Sequence, residues 1–442
     1  MNSNMKTELL LPAGSLEKMR AAFSFGADAV YAGQPRYSLR ARNNEFGLEE
    51  LRTGIAEAKR LGRKFYVASN LMPHNAKVKT YLADMEEVVE MKPDALIMAD
   101  PGLIMMVREK WPEMTIHLSV QANTVNHASV RFWRSMGLAR VILSRELSLE
   151  EIAEIRQFCP DTELEVFVHG ALCIAYSGRC LLSGYFNHRD SNQGTCTNSC
   201  RWDYKVSPAV EGEVGRIGKI DFDSAMRADC GGQARHPLAD DVYLLEESKR
   251  PGELMPIFED EHGTYIMNSR DLRAVEHVGR LVDMGIDSLK VEGRTKSLYY
   301  VARTAQVYRR AIDDALGGKS FDPSLLAELE GLANRGYTDG FYARHHTEDY
   351  QNYMRGHSES SRSLYVGDVE RIESGMAEIS VKNRFQVGDT LEIIHPSGNR
   401  IVSLARMENV EGEAIDVAPG AGHRVRIPLE AGLEHALVAR FL

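Results

Sequence analysis

Four of the six cysteines in this chain of 442 residues crowd into one stretch: Cys173, Cys180, Cys196 and Cys200, with six, fifteen and three residues between neighbours. Gly178, Gly184 and Gly194 are interspersed among them and allow the backbone to turn tightly around a bound group. A stretch so rich in Cys, Ser, Asn and Gly cannot bury itself as an apolar core, so something bound has to organise it. Four thiolates suit both tetrahedral zinc and an iron–sulfur cluster. Zinc sites usually take ligands from close pairs, two to four residues apart; the second pair fits that habit and the first does not. The spacing favours iron–sulfur and leaves zinc and unliganded thiols as alternatives. Cys159, just before Pro160, reads as a small buried hydrophobe. Cys230 is an alternative fourth ligand.

The elements that position this stretch are legible on its N-terminal side. Short apolar runs alternate with amphipathic segments: strands at Leu9–Pro12, Ala29–Gly33, Lys64–Asn70, Ala95–Asp100, Ile116–Asn123, Arg140–Glu146 and Glu163–Cys173, each followed by a helix except the last. Ser148 with Glu151 forms a capping box opening one of those helices. An eighth strand is expected at Ser288–Gly293, preceded by a helix over about Ser269–Met284 and followed by one at Tyr299–Leu316. Eight βα units predict a closed (β/α)8, TIM-barrel-like domain. Residues 206–240, without periodicity, read as a variable insertion. From Ser363 onward the texture changes to short alternating runs punctuated by glycine, which predicts a small C-terminal antiparallel β-barrel. The expected division is 1–320 for the barrel with its cluster-binding loop insertion, 321–362 for a linker and 363–442 for the small β-barrel domain.

Composition narrows the function classes. The net charge of −10 argues against a general nucleic-acid binder, which needs a basic face. Residues 355–442 carry 10 Lys or Arg against 13 Asp or Glu. Any nucleic-acid contact there needs a local arrangement such as Lys382, Arg384, Arg400, Arg424 and Arg426. No apolar run approaches membrane-spanning length, and the polar start, Met1–Glu8, has no secretory pattern, so the expectation is a cytoplasmic protein.

In a βα barrel the chemistry sits at the C-terminal ends of the strands. That rule selects Asn70, Asp100, Ser119, Gln121, Arg145, Glu146, His169, Lys290, Glu292 and Arg294. Gln121, His169, Lys290, Glu292 and Arg294 are the catalytic candidates. Arg36, Arg40, Arg42 and Arg145 could clamp carboxylates bidentately. Each has a plainer reading: His169 as a hydrogen-bonded core histidine, Lys290 and Glu292 as a buried ion pair, the three arginines as a solvated patch, Asp100 as a helix cap.

Several of these residues belong to longer motifs. Glu165 through Cys173 (EVFVHGALC), Gly178-Arg-Cys180-Leu-Leu-Ser183 and Gly194-Thr-Cys196-Thr-Asn-Ser-Cys200-Arg201 resemble the cysteine signature of the collagenase-like peptidase family, family U-thirty-two. Leu11-Pro-Ala-Gly14, Gly26-Ala-Asp-Ala-Val-Tyr-Ala-Gly33, Ser119-Val-Gln121, Asn268-Ser-Arg-Asp-Leu272 and Lys290-Val-Glu-Gly-Arg294 match as well, so the resemblance covers nearly the whole chain. Within the family, the runs Tyr185–Gly194 and Phe258–Asn268 resemble a branch that modifies tRNA. The resemblance implies a 4Fe–4S cluster on Cys173, Cys180, Cys196 and Cys200. It implies C5 hydroxylation of the tRNA wobble uridine to 5-hydroxyuridine, and dependence on prephenate or a prephenate-derived metabolite. It also implies a tRNA partner, with a homo-oligomer or an accessory redox protein as further partners.

Two rivals remain at this level. One is a peptidase, as the family name suggests; the other is a non-catalytic iron–sulfur scaffold. Hydrolytic motifs do not support the first. There is no H-E-x-x-H helix and no G-x-S-x-G elbow, and the thiols are assigned to metal. Gly317-Gly-Lys-Ser320 lacks the first glycine and the preceding strand of a phosphate loop.

Overall fold

The computed structural model describes residues 7–39, 46–172, 270–334, 336–343 and 362–442, together with short strands between 209 and 265. Eight parallel strands close into a barrel: β1 (Glu8–Pro12), β2 (Ala29–Gly33), β3 (Lys64–Ser69), β4 (Ala95–Met98), β5 (Ile116–Leu118), β6 (Arg140–Ile142), β7 (Glu163–Ala171) and β8 (Ser288–Val291). Closure is made by β8, which pairs with β1 at Glu8↔Ser288 and with β7 at Ser288↔Glu165. The strands read as near-continuous apolar runs because both faces are covered, by interior side chains on one side and helices on the other. Those helices are α1 (Leu16–Ser24), α2 (Leu48–Arg60), α3 (Asn75–Glu90), α4 (Pro101–Lys110), α5 (His127–Ser135), α6 (Leu149–Phe158), α7 (Val278–Asp283) and α8 (Leu298–Leu316).

The expected capping box holds: the Ser148 hydroxyl accepts from Glu151 N, and Ser148 N donates to the Glu151 carboxylate. The helix expected over about Ser269–Met284 is shorter. Asp271–Arg273 is instead a strand lying antiparallel on β7, with Asp271 opposite Ala171, and only Val278–Asp283 is α-helical. The cause lies in β7, which runs nine residues and offers an edge above the point where β8 leaves it. There the register slips: Lys290 faces Phe167, but Val291 faces His169, so Val168 is bulged out. Gly170 follows with φ +108°, and a Cβ there would collide with the Glu292 carbonyl.

The C-terminal strands are β9 (Ser363–Glu373), β10 (Met376–Val381), β11 (Thr390–Ile394), β12 (Arg400–Ser403), β13 (Arg424–Pro428) and β14 (Leu437–Phe441). They form one antiparallel sheet in the order β12-β11-β14-β9-β10-β13. The two end strands do not pair, so the expected small barrel is a sheet curled into a half-barrel. Its concave side has an apolar core that includes Val366, Val369, Ile379, Phe385 and Ile393. A second apolar set, Ile394, Leu437 and Ala439, belongs to the core of the large barrel. The half-barrel is therefore packed against the large domain, chiefly on α8. The Tyr299 and Tyr365 rings stack with centroids 5.1 Å apart, and Arg303 reaches across to Glu392.

Candidate functional site at the barrel mouth

The barrel interior is layered, and its lower layer is charged. Arg140 Nη1 lies 2.6 Å from Glu8 and 3.0 Å from Glu165, and Lys290 Nζ lies 2.8 Å from the other Glu165 oxygen. Tyr66 and Ser288 both donate to Glu8. Burial alone would raise the Glu8 carboxyl, but Arg140, Lys64 and Tyr66 together hold it below the usual carboxylate range. Burial pushes the Lys290 ammonium below the usual lysine range, with Glu165 opposing it. The His117 ring, against Tyr66 with centroids 4.7 Å apart, is driven well below its usual range by burial and by nearby cations, so it stays neutral.

Above this layer lie two aromatic rings. Lys290 Nζ sits 4.4 Å from the Tyr31 centroid, and the Arg145 guanidinium sits 4.0 Å above Phe167. The mouth begins here. Arg145 donates to the Ala171 carbonyl at 2.9 Å and faces Glu292 at 3.5 Å. Arg294 is buried, with its guanidinium 5.9 Å from the Tyr31 ring and packed on Gly33, where any Cβ would strike it. Across the mouth, Asn70, Ser119 and Gln121 form a hydrogen-bonded group at the ends of β3 and β5.

The structure thus places Gln121, Arg145, Glu292 and Arg294 at the same, C-terminal end of the barrel. It separates others. Lys290 pairs with Glu165 and not with Glu292. The bulge at Val168 turns His169 towards the outer layer, where its ring meets Tyr300, Tyr308 and Tyr337 and its Nδ1 lies 3.3 Å from the Tyr308 hydroxyl. Burial lowers that imidazole to about 3. His169 occupies the position of a core histidine. Arg36 is half exposed and bound to Asp84 of α3 at 2.7 Å, on the surface. Asp100 caps α4 through Leu103 N at 2.9 Å. Arg40, Arg42, Cys173, Cys180, Cys196, Cys200 and Cys230 lie outside the described residues. The last described residue before the cysteine stretch, Leu172, follows the C-terminal end of β7 and so leaves from the mouth side. Cys159 is buried and donates to the His127 carbonyl at 3.6 Å, and burial raises its thiol.

Glu8, Arg140 and Glu165 were not singled out from sequence. Their signal is a charged residue at the start of an apolar parallel strand, as Glu8 and Arg140 are, or within one, as Glu165 is, where no solvent is available to hold it. On the half-barrel, Lys382 faces Asp368 at 3.3 Å, Arg400 pairs with Glu430, and Arg424 and Arg426 approach Glu378. Four of the five cations that could form a basic patch there are thus neutralised by carboxylates.

A closed parallel barrel with a polar mouth, joined to a curled antiparallel sheet, defines the class of protein by fold. The chain belongs to peptidase family U32: the family model matches residues 14–352, and that of the family's C-terminal domain matches 361–440. It is 61% identical over 439 residues to tRNA hydroxylation protein P of Escherichia coli, covering 98% of this chain and 97% of the relative. It is 58% identical over 451 residues to the protein of the same name from Haemophilus influenzae, covering 100% and 98%. A collagenase of Porphyromonas gingivalis is 26% identical over 441 residues, covering 96% of this chain and 94% of the relative. Among the described residues, no helix is long and apolar enough to cross a membrane.

Proposed function

We propose that this chain takes part in tRNA hydroxylation, as the enzyme that adds the C5 hydroxyl of 5-hydroxyuridine at the wobble position. The observation that carries the reading is the 61% identity, end to end, with tRNA hydroxylation protein P. The geometry is compatible with it: polar groups gather at the C-terminal ends of the barrel strands, above the packed charged layer. A base in a single-stranded anticodon loop can be presented there without breaking a pair.

The reading includes a 4Fe–4S cluster held by Cys173, Cys180, Cys196 and Cys200. The donor set fits: four thiols in one stretch, entered from the mouth end of β7. Such a cluster supplies one-electron chemistry. The reading also includes prephenate or a metabolite derived from it, whose carboxylates would meet the Arg145 guanidinium, the planar donor fork suited to them. The chain's own residues bind and orient. Arg145 and Arg294 are held over aromatic rings, while Asn70, Ser119 and Gln121 line the opposite wall. A peptidase reading finds less support, because the strand-end histidine His169 faces the outer layer.

The test is mass spectrometry of tRNA nucleosides from a strain lacking this gene. Loss of 5-hydroxyuridine and its derivatives, restored by the intact gene, is the expected result. An unchanged nucleoside profile would exclude the reading.

A further inference from the structure

Asparagine and glutamine amides present a donor on one side and an acceptor on the other, and neighbours decide which way each faces. At the mouth that choice is forced by a donor that cannot turn round. The backbone N–H of Leu39 donates to Asn70 Oδ1 at 3.3 Å, which fixes the Asn70 amide. Asn70 Nδ2 then donates to Gln121 Oε1 at 2.9 Å and to Ser119 Oγ at 3.3 Å, and the Ser119 hydroxyl donates to the same Gln121 oxygen. Two donors therefore hold the Gln121 carbonyl, and its Nε2 must face the other way. Gln121 is 8% exposed at the end of β5, and its Nε2 makes no hydrogen bond among the described residues. The result is an oriented donor group at the mouth, fixed in direction by a backbone amide 82 residues earlier in the chain (121 − 39).

We propose that Gln121 is the specificity-determining residue that reads the base: its Nε2 donates to O4 of the uracil ring, the carbonyl beside the carbon to be hydroxylated. This rests on the tRNA reading above and names the atom by which the base is recognised. Cytosine carries an amino group where uracil has O4 and would set donor against donor. A site built to pair one polar group rejects the analogue that cannot pair. Asn70 and Ser119 are positioning residues, acting through the Gln121 amide.

The experiment uses the full chain and two short anticodon stem-loop RNAs differing only in uridine or cytidine at the wobble position. The two RNAs differ only at N3 and at the C4 substituent of one base, so the change in the ratio of dissociation constants when Gln121 is substituted reports the Gln121 contact. The intact chain should prefer uridine by about tenfold or more. Gln121→Glu is isosteric; one oxygen still accepts from Asn70 and Ser119, while the other now faces the mouth as an acceptor. It should erase or reverse the preference, since a carboxylate accepts from the cytosine amino group. Asn70→Asp removes the donor that orients the Gln121 amide and should reduce the ratio with the Gln121 side chain intact. A Gln121→Glu protein that keeps the wild-type uridine preference would overturn the proposal. That outcome leaves the tRNA reading standing, whereas an unchanged nucleoside profile in the deletion strain removes both.

Discussion

Replacing Arg303 by Ala tests whether the half-barrel is a fixed part of the molecule. The Arg303 side chain is only 2% exposed, wedged between Glu328 at 3.4 Å and Glu392 of β11. Both carboxylates are largely buried, and burial raises that of Glu328 in spite of Arg303 and Arg310. Removing one partner of a buried ion pair typically costs about 3–5 kcal/mol, because the other charge stays behind without compensation. Here each carboxylate keeps one neighbour, Arg310 at 3.2 Å for Glu328 and Asn399 at 3.1 Å for Glu392. The loss therefore falls near the lower end, about 3 kcal/mol. At about 1.4 kcal/mol per tenfold, that is roughly a hundredfold in the opening equilibrium of the half-barrel. Hydrogen exchange of the β9, β11 and β14 amides reads it directly, as a roughly hundredfold loss of protection if these strands open together. Arg303→Lys, which keeps the charge but not the planar fork, should fall between. Protection in β9, β11 and β14 that does not change in Arg303→Ala would refute the argument and return the half-barrel to an independently folding module.

The charged layer gives two further expectations. Arg140→Leu leaves Glu165 with Lys290 alone and Glu8 with Lys64, Tyr66 and Ser288, and should cost about 3 kcal/mol in urea unfolding, the lower end for a broken buried pair. Lys290→Met leaves Glu165 with Arg140 and should cost about 1–3 kcal/mol. If Lys290 is structural, the folded Lys290→Met protein should still restore the tRNA nucleosides of a deletion strain; complete loss of that rescue would make Lys290 a reacting group. The Glu8 carboxyl has a folded-state pKa below its unfolded value, so its contribution to stability is present above about pH 4.3 and lost as pH falls through the folded value. A Glu8→Gln protein should show a shallower decline in stability below that pH, and an identical acid limb in both proteins would contradict the assignment. Protein purified without oxygen should carry about four irons with acid-labile sulfide. Replacing Cys173, Cys180, Cys196 or Cys200 by Ala should remove them, while Cys159→Ala should not; stoichiometric zinc without sulfide would sink the cluster, and iron lost from Cys230→Ala but kept in Cys200→Ala would move the fourth ligand.

The eight barrel strands were readable because a parallel strand buried on both faces is an apolar run, and several of the helices between them carry side-chain caps, at Ser15, Asp100, Asn126, Ser148 and Ser297. Asp100 and Ser148 could be recognised as caps for the same local reason. Partners across the barrel are another matter. Lys290 and Glu292 share one side of a strand by the period-two rule, but the partner Lys290 takes, Glu165, lies 125 positions away and depends on the β7–β8 register. A single bulged residue, Val168, decides where His169 points, and nothing in EVFVHGALC announces it. The docking of the half-barrel shows in the burial of one helix. Tyr299, Tyr300, Val301, Ala302, Arg303, Thr304, Ala305, Val307 and Tyr308 of α8 are all buried, so this helix is covered around its circumference. A helix without a solvent face has to be packed on two sides. One side is the barrel; the other is the half-barrel.

That placement bears on how a large substrate would be oriented. Helix α8 starts just beyond Arg294, at the mouth, with Ser297 as its N-cap, and runs away from it. The residues that hold the half-barrel are Tyr299, Arg303 and Gln306, the last donating to the His395 carbonyl and to Asn399. All three lie in the mouth-side half of the helix, so the half-barrel is fixed beside the opening. Phosphate contacts position a nucleic acid and base contacts select within it. The half-barrel's cations are mostly paired with its own carboxylates, which leaves it poorly suited to supply phosphate contacts and well suited to act as a rigid wall. On the tRNA reading proposed above, such a wall would restrict the angle from which an anticodon loop could approach, and that restriction would persist at salt concentrations that screen exposed charges. On that same reading, selection between bases falls to the mouth itself, where the Gln121 amide is the group whose direction the fold has already fixed.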